Sequence, residues 1–405
     1  MIGYLKQQVD EIAGDPALRA YGVALLATHV LTAFWLLNSG QADIVAAGQE
    51  AICWPLVPDC EALRVFSAAA LQPIFAAYGV AALALCAAFA RKNSTAIGWA
   101  GLLCLTVFKL AVIALDFRLR LNQHYMAFAV TAVFLLIPRK RESLQLLIVL
   151  FYFWAGTLKL NSDWLSGAAL YHPLWLISGR AVILACAYVV ALELVIVWGL
   201  LARRRGIFWT SFAQVLLFHV MSWAVVGFYY PILMFMLLAI FPLARRSPSV
   251  GEGGSVLEAL SAVRRAWPAW LVAGLFSLVQ LSTHLYPGDT AITGEGRLFA
   301  LHMFDARIVC EATATATFPD GSREIVDLNI GSARTGCDPI TVHGYARILC
   351  RRRESGVAAF DRLDLKLLAR RATESELRPV VQIDDFCTKQ PRYSPFLHND
   401  WIATR

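Results

Sequence analysis

Long apolar segments recur along the first 285 residues, and a chain built this way must find a solvent other than water for most of its helices. A helix needs about 20 mainly apolar residues to cross a bilayer. Nine stretches are candidates, at roughly 18–38, 66–90, 96–115, 124–137, 143–160, 181–201, 207–226, 228–243 and 268–285. The fourth and eighth are short, with Pro138 and Pro242 expected to close them, because proline removes a helix donor. Asp15-Pro16 reads as an N-cap with proline at the first helical position. Residues 1–14 are too polar for the apolar core of a signal peptide and read as a short interfacial helix, with Ile2, Leu5, Val9 and Ile12 on one side.

Charge divides the chain. Only 33 of residues 1–285 are charged, against 32 of residues 286–405, and the whole net charge of +7 lies in the first part. The expected fold is a polytopic α-helical membrane bundle (1–285) followed by an extracytoplasmic α+β domain (286–405). The basic residues cluster at segment ends: Arg91-Lys92, Arg139-Lys140-Arg141, Arg203-Arg204-Arg205, Arg245-Arg246 and Arg264-Arg265. With a cytoplasmic N-terminus all five clusters lie inside, as cytoplasmic loops require. The expected location is therefore the inner (plasma) membrane, and a nucleic-acid partner is excluded. Membrane lipid is the first partner implied.

Cysteine usage follows this topology. Cys86, Cys104 and Cys186 lie within segments, whereas Cys53, Cys60, Cys310, Cys337, Cys350 and Cys387 fall outside, where disulfides persist. Cys53 and Cys60 share a loop bent by two prolines and form the expected local pair. The other pairings stay open. No metal-ligand spacing appears. In the tail, 307–318 and 324–330 alternate around Pro319-Asp320-Gly321-Ser322 as a hairpin. Residues 340–353 suit a helix, 363–367 a strand, 380–383 its partner, and 245–256 a linker.

Ionisable residues inside apolar segments mark candidate sites. His29 suits a packing hydrogen bond. Lys109 and Glu193 could pair, or Lys109 could snorkel outward. His219 suits core bonding or a pocket wall. His124 and Lys159 stand roughly 21 and 26 Å above the same cytoplasmic hairpin at about 1.5 Å per residue, so both reach the outer mouth at similar depth. A desolvated lysine there could serve as a general base, or could snorkel to the interface.

The segment Tyr152-Phe-Trp-Ala-Gly-Thr-Leu-Lys159-Leu-Asn-Ser-Asp163-Trp164 resembles the Ala-Gly-x-x-Lys-Leu-x-x-Asp-Trp stretch of the vitamin K-dependent gamma-carboxylases and their bacterial relatives, the HTTM (horizontally transferred transmembrane) proteins. Leu121-Asn122-Gln123-His124-Tyr125 is similar to the family's Asn-Asn-His-x-Tyr. Asp15-Pro16, Cys53-Trp-Pro, Phe218-His219 with Met221, and Gly296 to Arg307 followed by Pro319-Asp320-Gly321 are further matches. The resemblance implies that Lys159 deprotonates a vitamin K hydroquinone (menaquinol-type), and that reaction with O2 then yields an epoxide and a strong base. That base takes a proton from a glutamate-type acceptor, to which CO2 adds. It implies that His124 orients the quinone, with Asn122, Gln123, His219 and Arg307 in the quinone or substrate site. The partner would be an extracytoplasmic protein or peptide. Gln123 replaces the family's second asparagine. The segment around Phe299, His302 and Arg307 lacks the usual tryptophan and a histidine, and the tail is short. These departures suggest a related reaction on another acceptor. Two other classes are carried alongside: a different quinol-linked membrane modifying enzyme on the same scaffold, and a non-enzymatic transporter or assembly factor. Transporters often show internal repeats, and none is seen.

Overall fold

A computed structural model describes residues 2–170, 177–246, 267–303, 306–328 and 333–404. Residues 247–256 of the expected linker, Arg264-Arg265, Phe304-Asp305 and the end of the expected return strand, Asn329-Ile330, lie outside the described residues.

Among the described residues, six helical segments are long and apolar enough to cross a membrane: Pro16–Asn38, Ala68–Ala90, Lys92–Ala114, Arg180–Leu201, Arg205–Val226 and Trp267–Leu285. The other three expected segments are also helical but shorter or more polar. Asn122–Leu136 has 15 residues, Lys140–Leu158 opens with Lys-Arg-Glu, and the eighth is broken. Pro242 does not close it as expected. The helix Tyr229–Leu238 stops first and resumes as Ile240–Arg245, because proline at 242 cannot donate to the Leu238 carbonyl and its ring crowds that group. Pro138 does follow a helix end.

Local signals at the start hold. Asp15 accepts from the Ala17 and Leu18 amides at 2.9 and 3.4 Å, with Pro16 at the first position. Its carboxyl lies below the usual range. Burial opposes this, and the Arg141 guanidinium and the two amides outweigh it. The Ile2–Gly14 helix buries Ile12 but leaves Ile2 exposed, and its second buried residue is Gln8, which accepts from Lys140 Nζ at 2.6 Å.

The tail holds a core of its own around a four-stranded antiparallel sheet of order β2-β1-β3-β4, where β1 is Ile308–Thr317, β2 Arg323–Asp327, β3 Arg362–Arg371 and β4 Arg378–Ile383. Ala312, Ala314 and Ala316 alternate inward on β1, as do Leu363, Leu365 and Leu367 on β3, the period expected of a sheet with one covered face. The helix Pro339–Glu354 is capped by Asp338. Three disulfides form: Cys53–Cys60 as expected, Cys310–Cys337 and Cys350–Cys387. The last two staple the helix and its flanks to the sheet layer.

Candidate functional site

Lys159 caps the C-terminus of Lys140–Leu158, its amide donating to the Gly156 carbonyl at 3.1 Å. The chain then turns because Asn161 caps the short helix Ser162–Leu165 through the Trp164 amide, 3.0 Å away. A cation at a helix C-terminus is electrostatically favoured, and this one is also paired. Lys159 Nζ donates to both carboxylate oxygens of Glu193, at 2.8 and 2.7 Å, and lies 5.1 Å from the centre of the Trp164 ring. Glycine at 156 makes the pairing possible: a Cβ there would stand 2.9 Å from Glu193 Cβ. Of the two readings kept open for Lys109, the pairing with Glu193 does not form, because Glu193 binds Lys159. Helix contact across Gly156 delivers Glu193 to Lys159 instead.

A cavity of about 200 Å³ opens beside the pair. Its walls are mostly apolar, among them Leu170, Val189, Leu217, Met221 and Val226, and Met303 reaches it from the start of the tail. Lys159, Glu193, Tyr188 and Tyr230 are among its ionisable lining. Next to it, Tyr152 and His219 Nε2 share a hydrogen bond of 2.5 Å, and His219 Nδ1 is buried without a partner. Tyr152 lies seven residues before Lys159, two helical turns, so it shares that face. Helical periodicity could have found it. Nothing in the sequence pointed to Tyr230.

His124 belongs to a second polar cluster. Its Nδ1 lies 3.4 Å from the Tyr229 hydroxyl, its ring packs edge-on against Trp35, and its Nε2 is buried without a partner. Tyr229 also bonds Thr32 at 2.9 Å, and His29 bonds the Tyr78 hydroxyl. Lys109 is buried with Nζ over the Phe128 ring, close enough to act electrostatically on His29 and His124. It does not snorkel. His124 and Lys159 make no hydrogen bond to each other. Adjacent Tyr229 and Tyr230 face one cluster each, so equal height along a hairpin did not amount to contact.

The remaining candidates hold the tail to the bundle or stand at its edge. Asn122 Nδ2 donates to the His302 carbonyl at 2.5 Å, and Tyr125 donates to the Leu298 carbonyl at 2.8 Å. Gln123 is half-buried beside them, and Arg307 is exposed where β1 begins. Asp163 is fully buried and receives Arg371 at 3.2 Å and the Thr373 hydroxyl. Arg371 also binds Asp289, and these partners hold its charged form above the usual range against the opposing effect of burial. The Asp-Trp pair thus divides its work: Asp163 grips the tail, and Trp164 faces Lys159 while its indole N–H donates to the Cys186 carbonyl at 3.0 Å. No family model, no curated protein and no solved structure matches this chain.

Proposed function

We propose that this chain is a membrane enzyme acting with a vitamin K-type hydroquinone, similar in chemistry to the gamma-carboxylases. In this reading nine spans leave the N-terminus cytoplasmic and the disulfide-bonded tail outside the inner membrane. The observation that carries it is the buried Lys159–Glu193 pair on the wall of an apolar cavity. An isoprenoid quinol has polar ring edges and an apolar body. The cavity offers matching apolar walls, an ionisable edge, and beside it the unpartnered His219 Nδ1, so the residues fit such a ligand. The quinol would supply, on reaction with O2, the strong base that allows CO2 to add to a carbon acid.

The chain's own contribution is to hold and move one proton. Charged groups are costly in apolar surroundings. Passing a proton from Lys159 Nζ to a Glu193 oxygen leaves both neutral, and the free amine is then the base. Tyr152 holds His219 in place at the cavity's polar side. Trp164 and Met303 shield the amine from water, which strengthens every electrostatic interaction inside. His124, in the neighbouring cluster, positions Tyr229 next to Tyr230.

The test is epoxide formation by the purified protein given menaquinol and O2. Lys159→Ala should lower it by about 10²–10⁴-fold, the usual contribution of a general base, with partial rescue by a small amine at alkaline pH. Lys109→Ala should alter stability more than turnover. Full activity in Lys159→Ala removes the assigned base. Absence of epoxide from the unmodified protein removes the quinol reading.

A further inference from the structure

A second apolar groove of about 360 Å³ runs between the helices Asn122–Leu136 and Trp267–Leu281. Ala129 and Val133 line one side, one turn apart, with small Ala132 beside them, and Leu275, Phe276 and Val279 line the other. Leu136, Leu275 and Val279 are exposed along it. At one end stands Gln280, which lines the groove and is only 5% exposed. Its Oε1 accepts from the Leu301 amide at 3.2 Å, which sets the orientation of the side-chain amide. Its Nε2 is buried with no acceptor. Leaving a buried amide donor unpaired is unfavourable.

We propose that this groove binds a diacyl glycerophospholipid, with one acyl chain between the two helices and an ester carbonyl accepting from Gln280 Nε2. Gln280 is the penultimate residue of its helix, and the tail closes over it through Leu301. From there the groove continues to Val272, eight residues along, or roughly 12 Å at 1.5 Å per residue. A carbonyl at the helix end with apolar space running inward matches an acyl ester at the bilayer interface. The groove is lined by different helix faces from those of the Lys159 cavity, so the site stands whether or not the quinol reading does.

The probe is a phosphatidylethanolamine carrying a diazirine on one acyl chain, mixed at low fraction into phosphatidylethanolamine–phosphatidylglycerol vesicles holding the full-length protein. After irradiation, mass mapping should concentrate label on residues 129–136 and 272–279. Gln280→Leu should reduce that label about fivefold, the effect of losing one hydrogen bond, and Ala132→Phe should exclude the chain while keeping Gln280. Label spread evenly over all exposed helix faces and unchanged in both variants overturns the proposal. Displacement of the label by micromolar menaquinone, but not by excess unlabelled phospholipid, reassigns the groove to a quinone and overturns the phospholipid assignment. If Gln280→Leu does not fold, Ala132→Phe alone decides.

Discussion

The Lys159 ammonium bridges both carboxylate oxygens of Glu193, at 2.8 and 2.7 Å, with neither side chain more than 3% exposed. Removing one partner strands the other charge where water cannot reach it. Lys159→Met and Glu193→Leu should each destabilise by about 3–5 kcal/mol, while the double variant should recover most of that loss. Thermal unfolding in detergent, read as a double-mutant cycle, checks this. Additive single effects would mean that the pair is not coupled.

Gly156→Ala should act on the same pair through the contact of the Lys159 helix with the Glu193 helix. The added Cβ would meet Glu193 Cβ at 2.9 Å and a Leu194 methyl at 3.0 Å, both on a helix wall that has little freedom to move. Overpacking of this kind costs about 1–3 kcal/mol, and the helices should separate enough to lengthen the ion pair. The unfolding temperature and epoxide formation should both fall. Gly274→Ala, where a Cβ meets nothing within 4 Å, is the control.

Topology is tested by thiol labelling in a chain with Cys86, Cys104 and Cys186 changed to alanine. Asn93→Cys, in the exposed turn Lys92–Ser94 beside Arg91-Lys92, should resist an impermeant reagent in intact cells. Ser322→Cys, in the exposed β1–β2 turn, should react. The reverse pattern would invert the chain. Without reduction, neither Cys53 nor Cys60 should react.

His343 gives the tail a pH dependence. Burial holds its imidazole at about 4 against an ordinary 6.5, with Arg347 adding to the effect and the bond to the Pro391 carbonyl opposing it. Because the folded value is the lower one, the unfolded chain takes up a proton first as pH falls below 6.5. Stability is complete above that value and declines toward pH 4, by about 3 kcal/mol. Amide exchange in the Pro339–Glu354 helix between pH 7 and 4 should show the slope, and His343→Gln should flatten it. An unchanged slope in the variant would assign the dependence to other groups.

The sequence by itself determined the helical segments, the division at residue 285 into a charge-poor and a charge-rich part, the Cys53–Cys60 pair, the Asp15 cap and most of the sheet. These follow from local rules: length of apolar run, period-two alternation, and capping chemistry within a few residues. Lys159 stood out for the same reason, a charge in an apolar run. Its partner did not, since Glu193 and Lys109 look equally available along the chain. Only packing chose between them, through a missing side chain at Gly156 that lets one particular helix approach. Height above a hairpin put His124 level with Lys159, but rotation about each helix axis turned the two toward different neighbours. Likewise Asp163 looked like part of a site motif, and the fold made it the anchor for Arg371, 208 residues later. Periodicity reveals which face of a helix is special; which other face it meets is settled by three-dimensional packing, where a fraction of an ångström at one glycine selects the contact.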